Sequence, residues 1–302
     1  MACGLPRIRA MHDWFKRSAL FALFCIATSP YSIWACSDFY TKIPNVPRAL
    51  CRAADLKPSA ARSVQGRPIL LRDLALAGAQ RRVLVVATMH GDELSAASVA
   101  LHWLQMAQAA PLQTHWRFIP VLNPDGLMRR KPQRMNAHGV DLNRNFPTPN
   151  WQRETKVYWE QRTGKDPRRW PGPKPLSEPE SRYLYDEMAR FQPQLIVSIH
   201  APYGVLDFDG PVMPPTQLGR LYLDQVGVFP GSLGNFSGVQ RGIPVVTVEL
   251  PHALVTPSSA EMARMWRDLL AWMDKTLPVQ QPVQPEADDP VLAQVVEERV
   301  YP

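Results

Sequence analysis

The 302-residue chain is 45% hydrophobic and 20% charged, with 34 Lys and Arg against 27 Asp and Glu, a net charge of +7. These proportions fit a soluble globular protein and exclude a disordered, collagen-like or multi-span membrane chain. The 31 prolines, about one residue in ten against the usual ~5%, predict long irregular loops.

Charge is unevenly spread: residues 1–35 carry net +3 and residues 276–302 net −4, leaving +8 for residues 36–275. That middle stretch is long enough for one large domain with a full core. At the N-terminus, His12, Asp13, Lys16 and Arg17 precede the apolar run Ser18–Ala27, and a small residue, Ala35, stands before Cys36. Charged n-region, short h-region and small residue together predict a secretory signal peptide over residues 1–35, starting at Met1 or Met11, and hence a periplasmic protein. The run is shorter than the about 20 residues of a comfortable membrane span, so no transmembrane span is expected in the mature protein. A buried core helix, the competing reading, would alternate apolar and polar faces.

Ile33-Trp34-Ala35-Cys36 also resembles a bacterial lipobox, although Trp34 fits poorly. Two outcomes stand open for Cys36: a lipid anchor that leaves Cys51 unpaired, or plain cleavage and a disulfide with Cys51. Residues 36–65 form a lead-in segment, residues 66–275 the catalytic domain, and residues 276–302 a flexible Pro/Gln-rich tail.

Within the domain, Val83–Ala87 reads as a buried strand and Glu93–Gln108 as a helix. Trp116–Leu122 is a second strand, and Asn123-Pro-Asp-Gly126 a turn after it. Ser177-Glu-Pro-Glu180 offers a capping box into a helix running to about Phe191. Leu195–Ile199 and Val245–Val248 are strands, and Ser258–Met273 closes as a helix. The alternation predicts an α/β fold, a single domain with a mixed sheet flanked by helices and reactive residues where strands end.

Four polar residues fall at such ends. His90 and Glu93 follow the first strand, His200 follows Leu195–Ile199, and Glu249 follows Val245–Val248. Two imidazoles and one carboxylate are a hydrolytic zinc set that leaves a position for water, with His90, Glu93 and His200 as ligands. Zinc lowers the pKa of its water towards ~7, so Glu249 as general base need only accept a proton and return it to the leaving amine. Each element alone is weak, because a His-x-x-Glu is most often an exposed helix start. Their coincidence carries the reading. Between them, Arg134 to Pro147 combines two arginines with asparagine donors, a combination suited to gripping a carboxylate.

With these motifs the chain resembles the zinc metallocarboxypeptidase family: His90-x-x-Glu93, Asn123-Pro-Asp-Gly126, Gly139-Val-Asp-Leu-Asn-Arg-Asn-Phe146, Ser198-Ile-His200 and Val248-Glu249-Leu occur in the family's order. Carboxypeptidase A is a known His2Glu zinc enzyme, so the metal set belongs to the family rather than being new. The resemblance implies one zinc per chain, Arg134 facing the developing oxyanion, and Asn143 with Arg144 gripping the terminal carboxylate. Flanking segments are similar to the members that cut the γ-D-glutamyl-meso-diaminopimelate amide of cell-wall (murein) peptides. That substrate needs local acids for its ammonium, and Asp207 and Asp209 are the candidates, although two acids in an ordinary turn would look the same. The family's substrate-covering tyrosine has no counterpart at the expected offset, Tyr203 being the nearest.

Alternatives on the same zinc site are a broader carboxypeptidase or a deacylase of N-acyl amino acids. A non-catalytic murein-binding protein would instead lack a ligand or base. Residues 127–182 hold 13 basic and 6 acidic side chains, nearly all of the domain's excess charge. A nucleic-acid partner is therefore not expected, and the stretch reads as an electrostatic funnel for acidic peptides.

Overall fold

A computed structural model describes residues 36–277 apart from 76, 77, 80 and 110–112. The signal-peptide expectation and the tail beyond Leu277 lie outside the described residues. Two short helices, α1 (Cys36–Phe39) and α2 (Arg48–Ala54), lead into strands β1 (Lys57–Arg62), β2 (Pro68–Leu74) and β3 (Arg81–Ala87). Helix α3 (Leu94–Ala109), β4 (Thr114–Ile119), and short helices α4 (Pro124–Met128) and α5 (Trp151–Val157) follow. The chain ends with α6 (Pro179–Phe191), β5 (Leu195–His200), β6 (Leu206–Asp209), β7 (Gln217–Leu218), β8 (Leu221–Tyr222), β9 (Val245–Glu249) and α7 (Ser259–Thr276).

Seven strands form one mixed sheet in the order β1-β2-β4-β3-β5-β9-β6, and β7 with β8 makes a small separate hairpin. The inner strands β4, β3, β5 and β9 run parallel, while β1, β2 and β6 pair antiparallel at the flanks. Strands covered on both faces favour apolar residues at nearly every position, which is why Val83–Ala87 is a continuous apolar run and Leu195–Ile199 is broken only by Ser198. Alternate residues serve opposite faces. Val83, Val85, Val197 and Ile199 join the core under α3, α7 and the lead-in helices. Leu84, Val86 and Ile196 join the core under α6 with Leu184, Met188 and Phe191.

The mixed sheet and its flanking helices are as expected. Helix α3 is buried around most of its circumference, which blurs its apolar period. The Asn123-Pro-Asp-Gly126 turn closes into α4, with the Asn123 side chain accepting from the Gly126 N–H at 2.8 Å. Helix α7 begins with a capping interaction in which Ser258 accepts from the Glu261 N–H. The capping box read at Ser177 is a correction: the N-cap of α6 is Glu178, whose side chain does not cap. It is drawn instead to Asn136 and His138, at 2.6 and 2.8 Å. Between Met128 and Pro179 the chain is mostly irregular, in line with its proline content, apart from short helical turns and α5, which runs on as a π-helical stretch to Arg162.

The lead-in segment is built into the domain. Phe39, Ile43, Val46, Leu50 and Ala54 enter the core, and β1 extends the sheet. Cys36 and Cys51 form a disulfide with Cα atoms 5.6 Å apart, spanning 15 residues. The bond occupies the sulfur that a lipid anchor would need, so the two outcomes are mutually exclusive. Closing such a loop is worth about 3 kcal/mol. Cys36→Ser with Cys51→Ser is expected to lower unfolding stability by about that amount relative to the oxidised protein, measured by urea denaturation; equal midpoints would show that the crosslink does not form.

Candidate active site

The sheet's connectivity dictates where a site can form. From β3 the chain passes through α3 to β4 on one side, then returns to β5 on the other side of β3. The outward-diverging connections leave a crevice at the carboxyl ends of β3 and β5, the place where open α/β sheets bind ligands. His90 and Glu93 lie on the loop just past β3, while His200 and Glu249 are the last residues of β5 and β9 and stand opposite each other in register.

The loop past β3 is held by its neighbours. The Gly91 N–H donates to the Arg134 carbonyl at 3.2 Å, and Asn123 Nδ2 donates to the same carbonyl at 3.1 Å. Gly91 lies so close to the Gly126 backbone that a Cβ would collide with it. The Asn-Pro-Asp-Gly motif thus braces the His-x-x-Glu loop.

His90 Nδ1 lies 2.8 Å from Glu93 Oε1, and His200 Nδ1 lies 3.0 Å from Glu93 Oε2 and 3.2 Å from His90 Nδ1. One ligand atom from each residue falls within 4.8 Å of the others, and all three residues are buried. Among the described residues this is the one cluster of three or more His, Cys, Asp or Glu side chains so arranged. Burial alone would raise the Glu93 pKa, yet the two imidazoles hold it down to about 2, so the group is an anion at neutral pH. On the far side of the ring, His90 Nε2 meets Asp141 Oδ1 at 3.0 Å. A carboxylate behind a ligating histidine is the usual outer support of zinc, and the residues fit that ion.

Asp141 also binds Arg134: Nε and Nη2 donate to Oδ2 at 3.0 and 2.9 Å. Burial works against the Asp141 charge, but Arg134 and His90 hold its pKa well below the usual carboxylate range. Arg134 Nη1 is thereby aimed at the cluster, 3.1 Å from His90 Nδ1. Glu249 Oε2 is buried with no hydrogen-bond partner among the described residues. Burial raises the Glu249 pKa, with His200 pulling the other way.

These groups line one cavity of about 350 Å³ together with Asn143, Arg144, Asp207 and Asp209. Asn143 accepts from the Leu233 N–H at 2.9 Å. Arg144 is 4% exposed, its guanidinium 4.6 Å from the Phe229 ring centre and 5.1 Å from that of Tyr158. Among the described residues no carboxylate lies within ion-pair range of it, and its Nε has no acceptor. Asp141 feels its charge through space and Nη1 donates to the Asn143 carbonyl at 2.6 Å, but no described carboxylate is in direct contact, and an anionic ligand would supply that ion pair. Asp207 accepts from the Phe208 and Val226 N–H groups. Burial and Asp207 together push the Asp209 pKa up to about 6, with no hydrogen bond to offset them.

All nine candidate residues therefore meet in one cavity; Asp141, which the sequence reading left without a role, stands behind His90 and Arg134. Its position two residues before Asn143, in the Gly-Val-Asp-Leu-Asn-Arg motif, was the available signal. Also unread was the brace behind the loop. Asn136 Nδ2 donates to both Glu178 and Glu180 while its Oδ1 accepts from the His138 and Val140 N–H groups. Glu180 is fully buried there, its pKa raised to about 7 by that burial.

The zinc carboxypeptidase family matches residues 57–206. Murein peptide amidase A of Escherichia coli (strain K12) is 31% identical over 221 residues, covering 71% of this chain and 89% of the relative. Its counterpart in Vibrio campbellii is 32% identical over 225 residues, covering 72% and 86%. The crystal structure of murein-tripeptide amidase MpaA from Escherichia coli O157 is similar with a TM-score of 0.50 and 26% identity, over 76% of this chain and 93% of that one. With its strand-end histidines, its carboxylates and these relatives, the chain belongs to the zinc carboxypeptidase family and is a hydrolase of peptide bonds.

Proposed function

We propose that the protein is an exported, zinc-dependent amidase that hydrolyses the γ-D-glutamyl-meso-diaminopimelate bond of murein peptides. The observation that carries this reading is the mixed charge of the cavity's inner end. Arg144 and Asn143 offer a carboxylate grip beside the acids Asp207 and Asp209, and diaminopimelate presents both carboxylates and an ammonium. The names of the relatives and the signal-peptide pattern of residues 1–35 support the same substrate and a periplasmic site.

His90, Glu93 and His200 would hold the zinc, whose Lewis acidity would act on water and on the scissile carbonyl. Arg144 and Asn143 bind the terminal carboxylate and so set the register of the amide in the cavity. Arg134, fixed by Asp141, presents Nη1 to the charge that develops on the carbonyl oxygen. Glu249 accepts the proton of the attacking water at Oε2 and passes it to the leaving amine. Its raised pKa makes it a stronger base than an exposed carboxylate while leaving it ready to donate.

Purified protein incubated with L-Ala-γ-D-Glu-meso-diaminopimelate should release diaminopimelate, detected by mass spectrometry. No release from any related muropeptide would defeat the reading. Asp209→Asn is expected to raise KM for diaminopimelate peptides about tenfold or more, the loss of one charged hydrogen bond, with a smaller effect on alanyl peptides. Asp207→Asn should do less, since Asp207 already accepts from two backbone N–H groups; equal losses on both substrates would remove these acids from recognition.

A further inference from the structure

Two arginines of the cavity have no part in that mechanism. Arg168 and Arg169 stand on the turn Pro167–Arg169 with side chains 57% and 30% exposed, whereas Arg144 and Asp207 at the inner end are buried. Arg168 Nη2 donates to Asp92 Oδ2 at 2.7 Å, which ties the turn to the loop carrying His90 and Glu93. Arg169 Nη2 lies 3.5 Å from the hydroxyl of Tyr203, itself 57% exposed. The carboxylate nearest Arg169 is that of Asp166, at 3.7 Å on the same turn. These groups form the cavity's mouth.

An enzyme that takes the terminal residue into a closed inner end must let the acyl part of its substrate leave through the mouth. What that part presents depends on the linkage. In an α-linked peptide, the residue supplying the scissile carbonyl has no free backbone carboxylate. In a γ-linked glutamyl residue the α-carboxylate stays free, four bonds from the scissile carbonyl carbon, and emerges beside the reacting centre on the acyl side. A guanidinium there can grip it through two parallel N–H donors.

We propose that Arg169, with Arg168 and Tyr203 beside it, binds the free α-carboxylate of the γ-linked acyl residue and makes the enzyme selective for γ-linked peptides that keep that acid. The inference rests on the amidase reading above. It assigns the mouth to the acyl residue, as Asn143, Arg144 and Asp209 are assigned to the leaving one.

The test compares L-Ala-γ-D-Glu-meso-diaminopimelate with the same tripeptide carrying a carboxamide in place of the α-carboxylate. The zinc-loaded wild-type protein should prefer the acid by about tenfold or more in kcat/KM, as expected for a charged hydrogen-bonded pair. Arg169→Gln should bring that ratio close to one, and Arg169→Lys should restore part of it because the charge returns without the fork. Arg169 sits on a surface turn, and an unchanged thermal midpoint would establish that the variant is folded. Equal wild-type rates on acid and amide, or a ratio that survives Arg169→Gln, would overturn the assignment while leaving the amidase reading intact. Hydrolysis of neither tripeptide by the wild type would overturn both.

Discussion

Glu249→Gln is expected to lower kcat on a murein tripeptide by about 10²–10⁴-fold, the range over which a positioned general base contributes. The substitution keeps the shape of the side chain and removes only its capacity to take a proton. KM and zinc content should therefore remain near those of the wild type, which separates a lost proton acceptor from a damaged site. The protein's stability at neutral pH should not fall, because the carboxyl replaced is buried and its Oε2 makes no hydrogen bond in the described structure. The register of β5 and β9 sets Glu249 opposite His200, so a base at this point follows from strand pairing rather than from a mobile loop. Unchanged turnover in the Gln variant would remove Glu249 from the mechanism.

The second large effect concerns the metal. His200→Ala should abolish stoichiometric zinc binding and activity together, while the wild type carries about one zinc per chain and loses activity to a chelator. Asp141→Asn is the graded counterpart: it leaves all three ligands in place but weakens the support behind His90, and should reduce zinc affinity about 10–100-fold. Metal content by mass spectrometry across a chelator titration reads both variants. If Asp141→Asn lost zinc as completely as His200→Ala, Asp141 would be acting as a ligand rather than as a support. If neither lost zinc, the His90, Glu93 and His200 cluster would not be the binding site.

Much of this site was legible in the chain because its chemistry sits at the ends of buried strands, where largely apolar runs stop at a titratable residue. His200 and Glu249 are marked in that way. The outer strands were harder to read. β1, with Lys57, Pro58, Ser59 and Arg62, lies at the sheet edge and is largely exposed, so no apolar pattern announces it. The capping box at Ser177 was misread for a different reason: Glu178 and Glu180 resemble helix-start acids, but Asn136 and its loop claim both carboxylates. Local propensity lost there to a long-range polar brace that ties the start of α6 to the loop around Asn136. Arg168 and Arg169 were read only as part of the electrostatic funnel of residues 127–182, because only the folded chain brings them to the cavity with Tyr203.

Gly234 and Gly238, on the π-helical turn Gly234–Val239, leave the space that Asp209 fills, and a Cβ at either position would collide with that residue. The three positions are consequently bound in their evolution. A side chain cannot be gained at 234 or 238 while Asp209 keeps its place, and Asp209 cannot be exchanged for a larger residue while the turn stays where it is. Changing what the inner end accepts is then a matter of ordered replacements at 209 and 234: a smaller residue at 209 removes the carboxylate that a Cβ at 234 would meet, whereas a Cβ at 238 also meets the backbone carbonyl of residue 209, which no side-chain exchange relieves. Libraries intended to retarget this pocket should vary codons 209 and 234 together, since a scan of position 234 alone would score it as intolerant and miss the combinations that work.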